Sequence, residues 1–226
     1  MDKQYKILVT EKGSYKVTGG VPLIQRAPMK TIHGEPVDWD YVGTGDQEVI
    51  PTGERYSLCR CGQSQNKPFC DGSHRQATEI DFSLTAERSL IAERRKEFPA
   101  RGLTLTDDPS LCANAGFCGT RLVNVHKMLE YSDDPEARER ILRMAANCPS
   151  GRLETYVNGE LVEPEYTPSI AVVPDGPLWV RGGIPIEAFD GYVYEVRNRV
   201  TLCRCGASKN KPFCDGAHDE IGFKAE

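Results

Sequence analysis

Residues 59–74 read CRCGQSQNKPFCDGSH, and residues 203–218 read CRCGASKNKPFCDGAH, with every cysteine and histidine at the same spacing. We call these stretches the first loop and the second loop. Each loop carries three thiols and one imidazole in sixteen residues, which leaves no room for an apolar core of its own. We therefore expect a bound metal to order each loop. Sulfur and imidazole ligands at this density are typical of zinc or of an iron–sulfur cluster, and the spacing alone makes zinc the commoner of the two.

The cysteine count and the charge limit the classes to which the chain can belong. The 226 residues carry a formal net charge of −5, which provides no basic patch for nucleic acid. The nine cysteines fall into three groups of three, at positions 59/61/70, 112/118/148 and 203/205/214. Grouping in threes favours metal ligation over disulfides, and free thiolates favour a reducing, cytoplasmic location. We recognise no secretory leader, and no apolar run approaches the roughly 20 residues of a membrane helix.

The repeat extends beyond the two loops. Residues 7–23 read ILVTEKGSYKVTGGVPL and align with residues 170–186, IAVVPDGPLWVRGGIPI. Both stretches predict a strand, a glycine turn and a second strand. The first copy has an insert at residues 24–55 between hairpin and loop, where we expect extra strands or an irregular excursion. Within that insert, Val42–Asp46 is too short to be a phosphate-binding loop.

A different segment separates the two copies, and we call residues 83–167 the middle region. Its sequence predicts a helix over residues 135–146, capped by Ser132 or Asp133, and a shorter helix over 120–131. Strong helix formers favour another helix over 85–98. Strands are predicted over residues 103–106 and 153–157. The domain boundaries that follow are 1–82, 83–167 and 168–226.

Both loops resemble the CDGSH iron–sulfur domain of the mitoNEET-like family, whose signature they match at every position, with Ala217 in the second loop where the first has Ser73. The resemblance implies a [2Fe–2S] cluster in each loop, held by Cys59, Cys61, Cys70 and His74 in the first and by Cys203, Cys205, Cys214 and His218 in the second. In each loop the first two cysteines would bind one iron, and the third cysteine and the histidine the other. Zinc then becomes the weaker alternative. A neutral imidazole in place of a thiolate makes such a cluster easier to reduce.

The middle region contains the middle triplet, Cys112, Cys118 and Cys148. It is similar to the divergent single-cluster ferredoxin domain found beside CDGSH repeats, and to three-cysteine ferredoxins that hold a [3Fe–4S] cluster. A bacterial ferredoxin run has a cysteine at the position of Ala115, so we expect no stable [4Fe–4S] cluster here. Two alternatives remain open: a [3Fe–4S] cluster on the triplet, or a scaffold that has lost its cluster. His126 could substitute as a ligand, although a packed or surface histidine is the simpler interpretation.

The sequence therefore predicts an α+β, mostly β protein with two small CDGSH modules and a ferredoxin-like domain. Family members with one motif pair as homodimers, so the resemblance implies that two copies pair inside one chain, as a monomer with an internal pseudo-two-fold axis. The hairpins at Ile7 and Ile170 would form a shared β cap with exchange between the halves. Trp39 and Trp179 are expected to fill cores.

The leading functional hypothesis is electron transfer with a redox partner protein. The alternatives are donation of a cluster to an apo-acceptor, redox or pH sensing, and a zinc-stabilised interaction module. We expect no enzyme, because no nucleophile–base constellation stands out, and neither nucleic acid nor a membrane is an expected partner.

Overall fold

The structure is a computed structural model that describes residues 4–41, 49–77 and 79–225. The Val42–Asp46 stretch lies outside the described residues. The part that precedes and includes the first loop is built from short strands, because β-branched and aromatic residues alternate with glycine turns. These strands are β1 (Lys6–Val9), β2 (Tyr15–Thr18), β3 (Leu23–Lys30), β4 (Pro36–Tyr41), β5 (Val49–Ile50) and β6 (Arg55–Leu58). The insert therefore forms extra strands, which was the first of the two alternatives expected for it.

The middle region alternates strands and helices. Its elements are α1 (Ile91–Arg94), β7 (Lys96–Ala100), β8 (Leu103–Asp107), α2 (Val125–Met128), α3 (Pro135–Ala146), β9 (Leu153–Val157) and β10 (Glu160–Val162). The second CDGSH part contains β11 (Ser169–Val172), β12 (Leu178–Arg181), β13 (Ile186–Ala188), β14 (Arg199–Leu202) and α4 (Ala217–Glu220). Short 3₁₀ turns cover Ser73–Arg75, Pro109–Leu111 and Leu129–Tyr131. The protein is thus α+β and mostly β, as predicted.

The two CDGSH parts exchange one strand each. Strand β13 of the second part pairs in parallel with β1 of the first, with Ile186 opposite Ile7. Reciprocally, β3 of the first part pairs in parallel with β11 of the second, with Leu23 opposite Ile170. The two sheets therefore have the strand orders β13-β1-β2-β6 and β14-β12-β11-β3-β4, with β5 also on β3. The predicted β cap with exchange between the halves is what the strand pairing forms.

A single apolar core fills the space between these two sheets. It contains residues from both parts of the chain, including Ile7, Leu23, Ile170 and Ile186, all of which are buried. Because each sheet takes a strand from the other part, this core belongs to neither part alone. Burial of roughly 1.5–3 kcal/mol per large aliphatic side chain thus favours the paired arrangement over two separate modules.

The middle region has its own sheet and its own core. Strands β10, β9, β8 and β7 form one antiparallel sheet, and α3 packs against it through Ile141. The helix begins at Pro135 and is capped by Asp134, whose carboxylate accepts from the amide of Ala137 at 2.9 Å. The cap is therefore two residues later than Ser132 and one later than Asp133, the two caps that the sequence predicted, although the helix has the predicted bounds.

Two helix predictions in the middle region were wrong in whole or in part. Residues 85–98 form only the single turn α1, followed by β7, because their polar groups bond elsewhere. The amides of Thr85 and Ala86 both donate to the carbonyl of Lys211 in the second loop, at 2.8 and 2.9 Å, and β7 pairs with β8. The helix expected over 120–131 begins only at Val125, since Thr120 closes a turn with Val123 at 2.7 Å.

The insert packs onto both the second CDGSH part and the middle region through an aromatic cluster. Trp39 stacks on Trp179 with 4.6 Å between ring centroids and on Phe117 at 4.8 Å. The indole of Trp39 also donates to the carbonyl of Asn147 at 2.9 Å, at the end of α3. Both tryptophans thus fill a core, as expected. In the described part of the chain, none of the helices has the length and apolar character needed to cross a bilayer.

Candidate metal centres

The four candidate ligands of the first loop, which we call the first site, lie in two close pairs. Strand β6 leads into Cys59, whose amide donates to Pro68 at 2.8 Å, and the amide of Cys70 donates to Ser57 at 2.9 Å. These bonds fold the loop back beside the end of its own strand. The sulfurs of Cys59 and Cys61 are 3.7 Å apart. The sulfur of Cys70 lies 3.4 Å from Nδ1 of His74.

The second loop repeats this geometry, and its four candidate ligands form the second site. The sulfurs of Cys203 and Cys205 are 3.8 Å apart, and the sulfur of Cys214 lies 3.4 Å from Nδ1 of His218. Two thiolates at about 2.3 Å from one tetrahedral metal ion would be about 3.8 Å apart. Each cysteine pair therefore has the separation that a shared metal ion requires.

The candidate ligands come together as pairs and do not converge as a set of four. Within residues 4–41, 49–77 and 79–225, no three His, Cys, Asp or Glu side chains are grouped closely enough to hold one metal ion. A structural zinc ion needs four ligands around a single point. A two-iron cluster needs two ligands on each of two irons, and the pairs fit that arrangement.

The serine and the aspartate of each loop fix its shape. Ser64 donates to the carbonyl of Phe69 at 2.6 Å, and Asp71 accepts from the amide of Gln65 at 2.8 Å and from that of Ser73 at 2.9 Å. These bonds lower the pKa of Asp71, chiefly through Ser73. The turn that follows Asp71 brings Nδ1 of His74 back to 3.4 Å from the sulfur of Cys70.

The hydrogen bond within each cysteine pair favours ionisation of one of its two thiols. A hydrogen bond from Cys61 lowers the pKa of Cys59 to about 5, and the same bond raises the pKa of Cys61. In the second loop the bond from Cys203 lowers the pKa of Cys205 to about 7, while the pKa of Cys203 is raised. The thiolate is the form that binds metal, so each pair already favours one metal-binding anion.

The arginine between the paired cysteines is buried and holds the preceding hairpin. Arg60 donates through Nε to Gly13 at 2.7 Å, and Arg204 donates through Nε to Gly176 at 3.0 Å. Burial lowers the pKa of Arg204 to about 10, against the opposing charge of Cys59 on the other loop. Among the described residues, Nη1 of Arg60 and Nη1 of Arg204 are buried and have no hydrogen-bond partner. A buried N–H without a protein acceptor suits an anionic group such as a cluster, so the residues present fit one.

The two loops touch each other through glycines. A Cβ atom at Gly62 would lie 2.4 Å from the carbonyl oxygen of Cys205, and a Cβ atom at Gly206 would lie 2.5 Å from that of Cys61. Both glycines also have a positive φ, 79° and 86°. The two Cys-x-Cys segments are therefore packed back to back, which brings the first and second sites together across the pseudo-two-fold axis.

The outer pairs of the two sites differ in exposure. In the second site, Cys214 is 2% exposed and His218 is 7% exposed, and burial raises the pKa of the thiol and lowers that of the imidazole. In the first site, Cys70 and His74 are both partly exposed. His74 also lines a surface cavity of about 940 Å³.

The three thiols of the middle triplet line one small cavity. Cys112, Cys118 and Cys148 face it together with Ala115 and Arg152. Burial raises the pKa of Cys118, and the neighbouring charges of Cys148 and Cys112 add to that rise. The structure thus brings the triplet together, and three converging thiols fit a cluster.

The ring of His126 is engaged by other residues and not by the middle triplet. Its Nε2 lies 3.1 Å from a carboxylate oxygen of Asp107, and its ring stands edge-on to Phe98 with centroids 4.9 Å apart. The same aspartate accepts from Nε of Arg152 at 2.6 Å. His126 is thus the packed histidine that the sequence favoured over a substitute ligand.

A buried arginine of the second CDGSH part supports the middle triplet. Arg199, on β14, is 2% exposed and donates to the carbonyls of Ala145 and Cys148, both at 2.7 Å. It also donates through Nε to the carboxylate of Glu163 at 2.8 Å. The guanidinium provides hydrogen-bond donors and a positive charge for the carbonyl groups at the end of α3, and it fixes the backbone of Cys148.

Neither this arginine nor the contact of the two loops was identified from the sequence. The hydrogen bond from the side-chain amide of Asn114 to the carboxylate of Asp219, at 2.6 Å, was not identified either. The repeat itself offered one signal. Arg199 occupies the position of Arg55 in the first copy, and an arginine retained at the same position of both strands could have been marked as more than a surface charge.

Comparison with protein families gives two matches. Residues 12–75 and 175–219 match the family described as "Iron-binding zinc finger CDGSH type", and residues 100–158 match the family described as "Divergent 4Fe-4S mono-cluster". Comparisons with curated proteins and with solved structures found no match. The chain is therefore an iron–sulfur protein in which two regions that match the CDGSH iron-binding family flank a region that matches a divergent iron–sulfur family.

Proposed function

We propose that the protein transfers electrons and holds one [2Fe–2S] cluster at each CDGSH site. The observation that carries this proposal is the duplicated pairing of ligands, with sulfurs 3.7 and 3.8 Å apart and a sulfur–imidazole separation of 3.4 Å in both loops. Such a cluster, when bound, accepts and releases one electron. The partner is a redox protein, and the chain has no catalytic activity of its own.

The side chains around the sites have distinct tasks in this proposal. Cys59 and Cys61 hold one iron of the first site, and Cys70 and His74 the other. The second site follows the same pattern, with Cys203 and Cys205 opposite Cys214 and His218. The buried arginines Arg60 and Arg204 keep positive charge beside the sites, which favours their reduction. The contact of the two loops at Gly62 and Gly206 keeps the two sites together during electron exchange.

The middle triplet is a third candidate site with three protein ligands. We propose that it holds a [3Fe–4S] cluster or none, because Ala115 stands where a fourth cysteine would be needed. The matched family is named after a four-iron cluster, so the iron count of this domain is the measurement that separates the alternatives. An oxidised [3Fe–4S] centre is paramagnetic, whereas an oxidised [2Fe–2S] centre is silent.

A specific observation favours cluster donation as a second candidate function. His74 is partly exposed and borders an open cavity, so the outer pair of the first site is accessible to an acceptor protein. Under that alternative the first site would lose its cluster to an apo-ferredoxin faster than the second site. Under electron transfer, both sites would keep their iron during turnover.

Metal analysis of the purified protein tests the proposal first. We expect four irons and four sulfides for the two CDGSH sites, and the variants Cys59→Ser and Cys203→Ser should each lose about half of the [2Fe–2S] signal of the reduced protein in magnetic resonance. His33→Ala is the control, since His33 is exposed and far from both loops in sequence. A folded preparation filled with zinc would overturn the proposal. Incubation with apo-ferredoxin then separates donation from electron exchange, and sedimentation tests the expected monomer.

A further inference from the structure

The residue after the histidine differs in charge between the two sites. Arg75 follows His74, and Asp219 follows His218 at the matching position of the repeat. A carboxylate oxygen of Asp219 lies 3.7 Å from Nε2 of His218. The other oxygen accepts from the amide nitrogen of Asn114 at 2.6 Å, which keeps the carboxylate beside the histidine.

The first site has a cationic environment at the same place. Arg75 is exposed and borders, together with His74, the 940 Å³ cavity. The other charged side chains that line this cavity are Glu11, Lys12, Asp81 and Arg88. With Arg75 included, three cations and two carboxylates line it, and one of the cations, Arg88, is paired with Asp190 at 2.6 Å, so Arg75 is the charge that sets this place apart from the second site.

Most of the remaining charges close to the two sites match each other, and the exception inside the loops is the exposed Lys209, which stands where the first loop has Gln65. Asp215 and Arg204 act on His218 in the second site, and Asp71 and Arg60 hold the equivalent positions of the first loop. These pairs cancel in a comparison of the two sites. Next to the histidines themselves, the contrast is between Asp219 and Arg75, together with the greater burial of Cys214 and His218.

Charge and burial act in the same direction. Reduction adds one negative charge, which is less favourable beside a carboxylate and more favourable beside a guanidinium. Removing the site from water also disfavours the added charge. Asp219 is about half exposed, so solvent screens part of the effect of its charge on the reduction potential. The effect of burying Cys214 and His218 is not reduced in this way.

We propose that Asp219 and Arg75 give the two sites unequal reduction potentials, the first site being easier to reduce. This inference rests on the proposed function. One electron would then pass from the reduced second site to the oxidised first site, so that one is oxidised as the other is reduced. The electron comes to rest beside the His74 cavity, which is the place where a redox partner can approach.

A redox titration of the holoprotein, followed by magnetic resonance, tests the inference. We expect two one-electron steps whose equilibrium constants differ by at least about tenfold, or about 59 mV. Asp219→Asn should move only the lower step upward, and Arg75→Gln should move only the upper step downward. Glu220→Gln, which removes an exposed carboxylate one position further along α4, should move neither step.

The outcomes separate this inference from the function on which it rests. Two clusters that titrate in a single unresolved step would overturn unequal potentials and leave the proposed function intact. A shift of the upper step in Asp219→Asn would overturn the assignment of the two sites. Protein without iron would contradict the proposed function itself. Circular dichroism and iron content of each variant exclude a trivial loss of folding or of a cluster.

Discussion

The two CDGSH loops and the middle triplet are candidate sites built in different ways. Almost every bond inside the first loop recurs in the second. Ser208 donates to Phe213 at 2.7 Å as Ser64 donates to Phe69 at 2.6 Å, and Lys209 donates to Asp215 at 2.7 Å. The middle triplet, in contrast, is supported by residues from both flanking parts. Arg199 binds the carbonyl of Cys148, and Trp39 binds that of Asn147.

The two kinds of site therefore differ in what determines their geometry: residues close in sequence for the loops, and residues distant in sequence for the triplet. Many of the bonds that shape a CDGSH loop lie within its own sixteen residues, because its serine and aspartate bond to its own backbone. The triplet depends on side chains that lie far away in sequence, from Trp39 in the insert to Arg199 on β14. We therefore expect the loops to respond to metal and the triplet to respond to its neighbours.

Removal of iron should give the largest effect and should affect the loops first. Metal binding to structural thiolate sites contributes about 10 kcal/mol or more, and neither loop has an apolar core to replace it. On anaerobic chelation, hydrogen exchange should show residues 59–76 and 203–222 without slowly exchanging amides. Helix α3 should keep its protection, because Ile141 packs in a separate apolar core. If the amides of α3 lost protection as fully as those of the loops, the loops would not depend on metal more than the middle region does.

Arg199→Met should have the next largest effect and should act on the middle triplet. The substitution leaves the carboxylate of Glu163 without its cationic partner, with only Asn198 still donating to it at 2.8 Å, and breaking a buried ion pair in this way costs about 3–5 kcal/mol. Chemical denaturation measures the loss, and alkylation of Cys148 should become faster. Arg55→Met is the matched control, since Arg55 holds the same position in the first copy but is exposed; it should change stability by no more than about 0.5 kcal/mol. Similar losses in the two variants would show that Arg199 is only a surface charge.

Gly62→Ala should have a smaller effect, on the contact between the two loops. Its new Cβ would overlap the carbonyl oxygen of Cys205, and overpacking of this kind costs about 1–3 kcal/mol. Gly72→Ala is the control, because Gly72 has a similar positive φ of 90° and a Cβ there would meet nothing within 4 Å in the described part of the chain. The cost of the positive φ, about 1–2 kcal/mol, is then common to both variants. If thermal unfolding shows no difference between them, the loops are not in contact in solution.

The sequence predicted those parts of the fold that depend on local patterns. The repeat indicated both hairpins, and the resemblance to the CDGSH family implied the exchange of strands, the pairing of two modules and the ligand pairs of each loop. The bounds of helix α3 were predicted, although its cap was not, because the signals that start and continue this helix lie within one short stretch. The domain boundaries at 82/83 and 167/168 stay predictions.

What the sequence could not predict are the contacts between distant segments. Residues 85–98 have strong helix formers, yet the amides of Thr85 and Ala86 bond to Lys211, and the strand Lys96–Ala100 pairs with β8. The role of Arg199 depends on β14 lying beside the end of α3. Asn114 reaches Asp219 only after the middle region has packed onto the second loop. Propensity within one segment contains no information on such partners.

The reciprocal placement of β3 and β13 also determines how the chain would respond to being cut. Each sheet contains a strand contributed by the other part, so the parts cannot separate without breaking parallel strand pairs in both sheets. A single proteolytic cut in the middle region would leave two fragments clasped together, and they would come apart only on denaturation. The covalent connection through the middle region is therefore not needed to hold the two parts together. The two ends of the molecule could be supplied as separate polypeptides that reassemble, much as split reporter proteins do.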